Sequence, residues 1–228
     1  MCSNWACTES VRGEVSDGLP YLDEGPLFRK RKGLSRGIPG QKQKKNACSK
    51  GGTVKTAIIG YSGSGKSTLA RLIGEHDRAE ILHLDRVHFL PGWIERPLQE
   101  EQEIVRAFLD SHRDWVIDGN YSKLSYDRRM EEADRIILLL FNRFDCIRRV
   151  TRRYTAYKDL IRPDMAEGCP EKLDPEFAFW VLWKGRRKAA RDRYRRVREK
   201  YPDKTVVIRN QKQLDHFLRE LAGSPVRG

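Results

Sequence analysis

The chain has 228 residues, of which 34% are charged and 39% are hydrophobic, which predicts one globular domain with additional segments. No apolar run reaches the roughly 18 residues of a membrane-spanning helix, and we expect neither a membrane association nor a signal peptide. The cysteines form no CxxC pair, which favours a reducing, cytoplasmic location over a disulfide framework or a zinc site; they are Cys2, Cys7, Cys48, Cys146 and Cys169.

The formal net charge of +13 indicates partners that carry phosphate, and nucleotides satisfy this as well as nucleic acids do. Residues 1–52 are rich in Gly, Pro, Ser, Lys and Arg and lack hydrophobic periodicity, so we predict a disordered basic tail. Its basic clusters at 29–32 and 42–45 either contact nucleic-acid or membrane phosphates or are simply solvated.

From residue 53 to residue 228, strand-like and helical patterns alternate, which predicts an α/β domain with a parallel sheet wrapped on both sides. An irregular connection is expected around residues 91–97, and residues 160–174 are predicted to form a loop or lid. Five strands are predicted at 54–59, 79–84, 114–117, 135–141 and 205–208. Helices are predicted at 66–74, 98–111, 125–132, 143–159, 175–200 and 211–221.

The most specific pattern lies between the first strand and the first helix, where the sequence satisfies the P-loop pattern GxxxxGK[ST]. Glycines let backbone N–H groups approach phosphates, and the following helix directs its positive dipole end at the same anion. Lys66 is predicted to contact the β- and γ-phosphates of ATP and to act in catalysis, and Ser67 to bind Mg²⁺. The predicted nucleotide-binding residues are Gly60, Ser62, Gly63, Ser64, Gly65, Lys66, Ser67 and Thr68.

Two carboxylates follow predicted strands, at the sheet edge where α/β proteins bind ligands. Asp85 is predicted to orient or deprotonate an acceptor hydroxyl or to hold Mg²⁺ through water, the alternative being a helix cap. Asp118 ends the third strand in Val-Ile-Asp-Gly-Asn and is predicted to hold the Mg²⁺ shell, with a turn-capping role as the alternative. His88 is expected to be a pocket wall or a structural histidine, because two ligands alone are weak evidence for a metal.

Four arginines, Arg148, Arg149, Arg152 and Arg153, recur at i, i+4 spacing on the helix before the candidate lid. Phosphoryl transfer uses guanidinium groups to neutralise charge on the moving γ-phosphoryl group. Arg149, Arg152 and Arg153 are therefore predicted to be catalytic, and the alternative is an exposed, solvated face.

The next helix begins with an aromatic segment, residues 177–183, which we interpret as core packing rather than base stacking. It continues with ten Lys or Arg residues between 184 and 200. This basic stretch is either a solvated face or a surface for nonspecific contacts with DNA or RNA phosphates, since no base-reading motif accompanies it.

Four segments of the chain together resemble the bacterial DNA topology modulation proteins, a branch of the P-loop kinases similar to adenylate kinase. They are Leu84-Asp85-x-x-His88-Phe89, Pro91-Gly92-Trp93, Trp115-Val116-Ile117-Asp118-Gly119-Asn120-Tyr121 and the run from Arg162 to Pro170. The resemblance covers about residues 54–220 and implies an adenylate-kinase-like fold and ATP binding. Asn120-Tyr121 replaces the proline-arginine usual in adenylate kinases, which puts AMP in doubt as the acceptor.

Two functions are therefore open. The first is a small-molecule kinase that uses MgATP to phosphorylate a nucleotide, nucleoside or other small acceptor held between Asp85 and Asp118. The second is a nucleic-acid-associated ATP-binding protein that modulates DNA topology, in which the basic tail and the 184–200 helix hold the nucleic acid.

Overall fold

The computed structural model describes residues 54–157, 165, 168–169, 171 and 173–223. The predicted tail lies outside the described residues, as does most of the predicted lid, including Arg162. The strands are β1 (Lys55–Gly60), β2 (Glu80–His83), β3 (Phe89–Leu90), β4 (Ile94–Glu95), β5 (Trp115–Asp118), β6 (Arg135–Leu139) and β7 (Thr205–Ile208).

Eight α-helices and one 3-10 turn, at Lys184–Arg186, are described. Within the described ranges, no helix combines the length and the apolar character that crossing a bilayer requires. The helices are α1 (Lys66–Asp77), α2 (Leu84–His88), α3 (Leu98–Ser111), α4 (Tyr126–Glu132), α5 (Arg143–Tyr157), α6 (Pro175–Leu182), α7 (Lys188–Lys200) and α8 (Gln211–Gly223).

The five longer strands form one parallel sheet in the order β2-β5-β1-β6-β7. The central strand β1 carries the P-loop at its carboxyl end, and the chain crosses from β1 to neighbours on both sides. Such a reversal of strand order opens a crevice at the carboxyl edge, which is where ligands bind in open α/β sheets. The predicted five-stranded parallel α/β fold with a P-loop is confirmed.

Alternating residues of the central strands supply two separate cores, one on each face of the sheet. Ala57 and Ile59 face the side covered by α2, α3, α4 and α7, whereas Ile58 faces the side covered by α1, α5, α6 and α8. The period of two along the strands therefore fixes which helices each strand residue contacts. The sheet is held rigidly between two helical layers, and its carboxyl edge presents the loops that form the candidate site.

The connection predicted to be irregular contains a short antiparallel hairpin, in which β3 pairs with β4. Phe89 lies opposite Glu95, and Leu90 lies opposite Ile94. The turn passes through Gly92 at a φ of 80° and Trp93 at a φ of 66°, two consecutive residues in the left-handed region. Runs of only two residues per strand are too short to show a period-two pattern, so this hairpin could not be predicted from the sequence.

The helix predicted over 175–200 is instead broken after Leu182, where the 3-10 turn separates α6 from α7. A Cβ atom at Gly185 would lie 2.9 Å from Trp180 Nε1, so the chain folds back tightly at this point. The Arg186 side chain donates from Nε to the Val181 carbonyl at 2.9 Å, which satisfies a carbonyl in the last turn of α6. The hydrogen bond from Arg186 that stabilises this break forms only in the folded protein.

The core-packing interpretation of the aromatic segment was wrong for three of its four aromatic rings. Val181 is buried and Phe177 packs against the core. In contrast, Phe179, Trp180 and Trp183 are 51%, 42% and 52% exposed. Because α6 ends at Leu182, only one side of this short helix packs against the core, and these three rings lie outside it.

A fully buried arginine, Arg129 of α4, organises the loop that follows β5. It donates to the carbonyl oxygens of Leu124, Gly119 and Tyr121 at 2.9, 3.3 and 2.7 Å. Burial lowers the pKa of Arg129 to about 10, so its guanidinium is still protonated at neutral pH. One side chain therefore fixes three backbone carbonyls of a loop that has no regular secondary structure.

We expect Arg129→Met to lower the free energy of unfolding by about 3 kcal/mol, because three buried carbonyl oxygens lose their donor. The matched control is Arg128→Met, whose side chain is 37% exposed and pairs with Asp110 and Glu132 at the surface. Its cost should stay below about 1 kcal/mol. Urea unfolding of both variants measures the difference, and equal effects would contradict the organising role of Arg129.

Candidate active site

The P-loop adopts a backbone path that side chains at its glycines would block. Gly60, Gly63 and Gly65 have φ values of 150°, 76° and 93°. A Cβ atom at Gly60 would lie 2.2 Å from the Leu139 carbonyl oxygen, and one at Gly63 would lie 2.6 Å from Val150 Cγ2. Glycine is therefore required where the loop passes β6 and α5, and the loop leads directly into the N-terminus of α1.

Asp118 lies at the centre of a three-residue network at the edge of the sheet. It accepts from Ser67 Oγ on Oδ2 at 2.9 Å and contacts His83 Nδ1 through Oδ1 at 2.5 Å. His83 and Asp118 are direct neighbours in the parallel register of β2 and β5. The structure thus brings together Ser67 and Asp118, the two residues predicted to bind Mg²⁺, although they are far apart in the sequence.

Asn120 bonds both backbone groups of the first P-loop glycine. Its Oδ1 accepts from the Gly60 N–H at 3.0 Å, and its Nδ2 donates to the Gly60 carbonyl at 2.5 Å. Asp118, two residues earlier, contacts Ser67 at the other end of the P-loop. The last residue of β5 and the loop after it therefore contact the P-loop at two points, Ser67 and Gly60.

Several cationic groups surround the P-loop. Lys66 Nζ donates to the Tyr61 carbonyl at 3.2 Å, and Arg149 Nη1 donates to the Ser64 carbonyl at 2.8 Å. Arg186 stacks over the Tyr61 ring with its guanidinium carbon 3.9 Å from the ring centroid. Trp180 Nε1 contacts Ser62 Oγ at 3.3 Å. Helices α5 and α6 thus both reach the loop, and Lys66 and Arg149 bring positive charge to a prospective phosphate site.

The other predicted arginines lie farther along α5 or on its exposed side. Arg153 is paired with the buried carboxylate of Glu171, with Nε 2.7 Å from Oε1. Arg148 and Arg152 are exposed on α5. Of the three arginines predicted to be catalytic, Arg149 is the one whose contact with the P-loop is described, and the roles of Arg152 and Arg153 stay predictions.

Asp85 lies in the first turn of α2, two residues after β2 ends, and belongs to a second cluster. Tyr121 donates its hydroxyl to Asp85 Oδ1 at 2.7 Å. The Tyr121 ring lies 4.8 Å from the ring of His88, whose Nδ1 is 2.8 Å from Glu101 Oε1. Burial, reinforced by the Asp85 charge, raises the pKa of Tyr121, so its hydroxyl keeps its proton and acts as a donor.

The hairpin contacts described residues of the segment that precedes α6. Gly92 N donates to the Gly168 carbonyl at 3.1 Å, and Met165 and Cys169 pack with Phe89 and Trp93. These contacts join three of the segments that carry the family resemblance, those that contain Phe89, Trp93 and Cys169. The fourth, which contains Tyr121, meets the first at Asp85 and His88. Segments distant in the sequence therefore converge in one cluster.

Sequence reasoning missed several residues of this site. His83 could have been suspected as a polar residue that follows Ile81 and Leu82 at the end of β2, but its pairing with Asp118 depends on the strand order. Asn120 was noticed only as a departure from the adenylate kinase pattern. Tyr121 and Glu101 act through side-chain contacts that no local pattern signals.

The sequence matches no protein-family model and no curated protein. Among solved structures, TT1252 from Thermus thermophilus is similar at 14% identity and a TM-score of 0.46, over 75% of this chain and 97% of that one. Shikimate kinase from Bacteroides thetaiotaomicron is similar at 14% identity and a TM-score of 0.39, over 75% of this chain and 96% of that one. Deoxyadenosine kinase from M. mycoides with bound dCTP is similar at 16% identity and a TM-score of 0.37, over 75% of this chain and 100% of that one. Similarity at this level does not specify a reaction for this chain.

We expect Asn120→Asp to weaken ATP binding about tenfold or more, because a carboxylate oxygen would replace the amide donor facing the Gly60 carbonyl. The matched control is Asn210→Asp, since Asn210 accepts from Gln213 N at the start of α8, where aspartate caps equally well. Calorimetric titration with ATP compares the two variants. Unchanged ATP affinity in Asn120→Asp would contradict the role of the two hydrogen bonds between Asn120 and Gly60.

Proposed function

We propose that this protein is a P-loop kinase that transfers the γ-phosphoryl group of MgATP to a hydroxyl group of a small acceptor. The observation that carries the proposal is the Ser67–Asp118 hydrogen bond at the N-terminus of α1. It places a hydroxyl and a carboxylate, the oxygen ligands that Mg²⁺ accepts, beside a glycine loop shaped to approach phosphates. The donor set and the space required at Gly60 and Gly63 therefore fit MgATP.

In this proposal Gly60 to Thr68 bind the phosphates through backbone N–H groups, and Lys66 supplies a positive charge to the β- and γ-phosphates. Ser67 and Asp118 hold the magnesium ion, which when bound neutralises phosphate charge. His83 orients Asp118 through the short contact to Oδ1, so that Oδ2 stays directed at Ser67. Arg149 adds a cation at the Ser64 carbonyl.

Asp85 is proposed to orient the acceptor hydroxyl and accept its proton. Tyr121 occupies one carboxylate oxygen, and within the described part of the chain no hydrogen bond engages the other, Oδ2. The Tyr121 hydroxyl fixes the rotamer of Asp85, which keeps the carboxylate in a constant position for the acceptor. Asp118 ends β5 and Tyr121 lies in the loop that follows, so only Gly119 and Asn120 separate the two halves of the site along the chain.

A second candidate function, nonspecific binding of nucleic acid, is favoured by one surface of the molecule. Lys188, Arg191, Arg195 and Arg198 are exposed at i, i+3, i+7 and i+10 along α7, with no ion pair to other described residues. Before this helix, the exposed rings of Phe179 and Trp183 stack with their centroids 5.7 Å apart. Unpaired cations and exposed aromatic rings are the two features that surfaces binding single strands combine.

Lys66→Ala should lower ATP turnover about a hundredfold or more with the fold intact, because a charge contacting the phosphates is lost. Lys212→Ala is the control, since this exposed lysine of α8 lies outside the P-loop. Turnover by the purified variants and their circular dichroism spectra test the expectation. Near-normal turnover by the folded Lys66→Ala protein would refute the nucleotide site.

Asp85→Asn should abolish phosphoryl transfer while ATP affinity is retained, because the amide keeps the shape of the carboxylate but cannot accept the proton. Single-turnover transfer and ATP affinity measure the two effects.

Arg149→Ala should lower the rate of phosphoryl transfer more than the affinity for ATP, since the Arg149 charge acts mainly in the transition state. Single-turnover transfer and ATP affinity are measured with a panel of nucleosides, sugars and small alcohols. Wild-type ATP hydrolysis that requires single-stranded DNA, with no acceptor phosphorylated, would support the second function instead.

A further inference from the structure

We propose that the acceptor is an uncharged cyclic polyol, such as a sugar or a nucleoside, and that a phosphate ester of the same compound is rejected. This inference rests on the proposed kinase function and names the substrate class of the same site. It follows from the charges and rings of the cluster around Tyr121, which we call the acceptor wall: Asp85, His88, Phe89, Trp93, Glu101 and Tyr121.

The acceptor wall is rich in negative charge. Asp85 Oδ1 lies 2.7 Å from the Tyr121 hydroxyl, and Glu101 Oε1 lies 2.8 Å from Nδ1 of the neighbouring His88. Glu101 is 3% exposed, so its charge is poorly screened by water. A further carboxylate, Glu95, lies 3.7 Å from His88 Nε2. Even a protonated His88 could balance only one of these carboxylates.

Three described arginines that contact the same segments are engaged with other groups, and Arg86, which follows Asp85 on α2, is exposed to solvent. Arg96 donates from Nε to the Val87 carbonyl at 2.8 Å, and its Nη1 lies 3.7 Å from Glu100. Arg193 donates to the Asn120 carbonyl at 3.1 Å, and Arg129 is buried beneath the loop with three carbonyl partners. An acceptor phosphate would therefore meet carboxylates at the acceptor wall, where kinases of nucleoside monophosphates need cations.

The aromatic rings of the acceptor wall suit a partly apolar ligand. The ring of His88 lies 4.6 Å from Phe89 and 4.8 Å from Tyr121, and Phe89 lies 5.1 Å from Trp93. Such a row of rings offers apolar surface beside the hydrogen-bonding groups of Asp85 and Tyr121. A cyclic polyol presents the same combination, with an apolar ring face and hydroxyl groups at its edge.

The test uses the full chain with MgATP and three matched pairs: adenosine and AMP, cytidine and CMP, and glucose and glucose 6-phosphate. Phosphoryl transfer is followed for each compound, and binding is measured separately by calorimetry with a non-hydrolysable ATP analogue present. We expect at least one uncharged member to be an acceptor, with kcat/KM and affinity at least tenfold above those of its phosphate ester.

Tighter binding or faster phosphorylation of the phosphate ester in any pair would overturn the inference while leaving the kinase function standing. Absence of transfer from every compound would count against the kinase function, whereas the binding comparison would still decide the preference for uncharged compounds. The two failures are therefore distinguishable.

Glu101→Gln tests the electrostatic origin of the preference, because glutamine still accepts from His88 but carries no charge. We expect the ratio of affinities between the uncharged compound and its ester to fall at least threefold. Glu103→Gln, an exposed position on the same helix, should leave the ratio unchanged. Glu95→Gln, at a side chain 75% exposed, supplies the same test should Glu101→Gln unfold. Unchanged ratios in both Glu101→Gln and Glu95→Gln would overturn the proposal.

Discussion

Gly60 is confined on both sides, and the geometry of the whole site follows from that confinement. The Leu139 carbonyl of the neighbouring strand leaves no space for a Cβ atom, and Asn120 bonds both the N–H and the carbonyl of this residue. Because β1 is the central strand, its carboxyl end has a fixed position between β5 and β6. The P-loop that begins there can therefore be built from permissive glycines without losing its position.

The last residue of β5 and the loop after it connect the P-loop to the rest of the site. Asp118 reaches Ser67, Asn120 reaches Gly60 and Tyr121 reaches Asp85, so three neighbouring positions serve three different partners. Arg129 makes this arrangement stable, because it binds the carbonyls that would otherwise be buried without donors. A charged residue in the core thus has a role that an apolar residue of equal volume could not fill.

The sequence predicted the parallel sheet and the P-loop because both leave local signals. Apolar strands alternate with amphipathic helices, and the glycine spacing at residues 60–65 is specific. The hairpin at residues 89–95 and the break after Leu182 were not foreseen, since each depends on tertiary contacts such as those of Arg186. Likewise, the partners of Asp118 and Asp85 depend on strand order and on side chains distant in the sequence.

The P-loop and the acceptor wall are formed by separate segments of the chain, and this separation affects how the substrate could change during evolution. In the proposed function residues 60–68 serve the nucleotide, whereas Phe89, Trp93 and Glu101 belong to a separate hairpin and to α3. Mutations in the hairpin could therefore alter acceptor selection while phosphate binding stays under purifying selection. Substitution of Arg129 would disturb both functions at once, so this buried position should be the least free to vary.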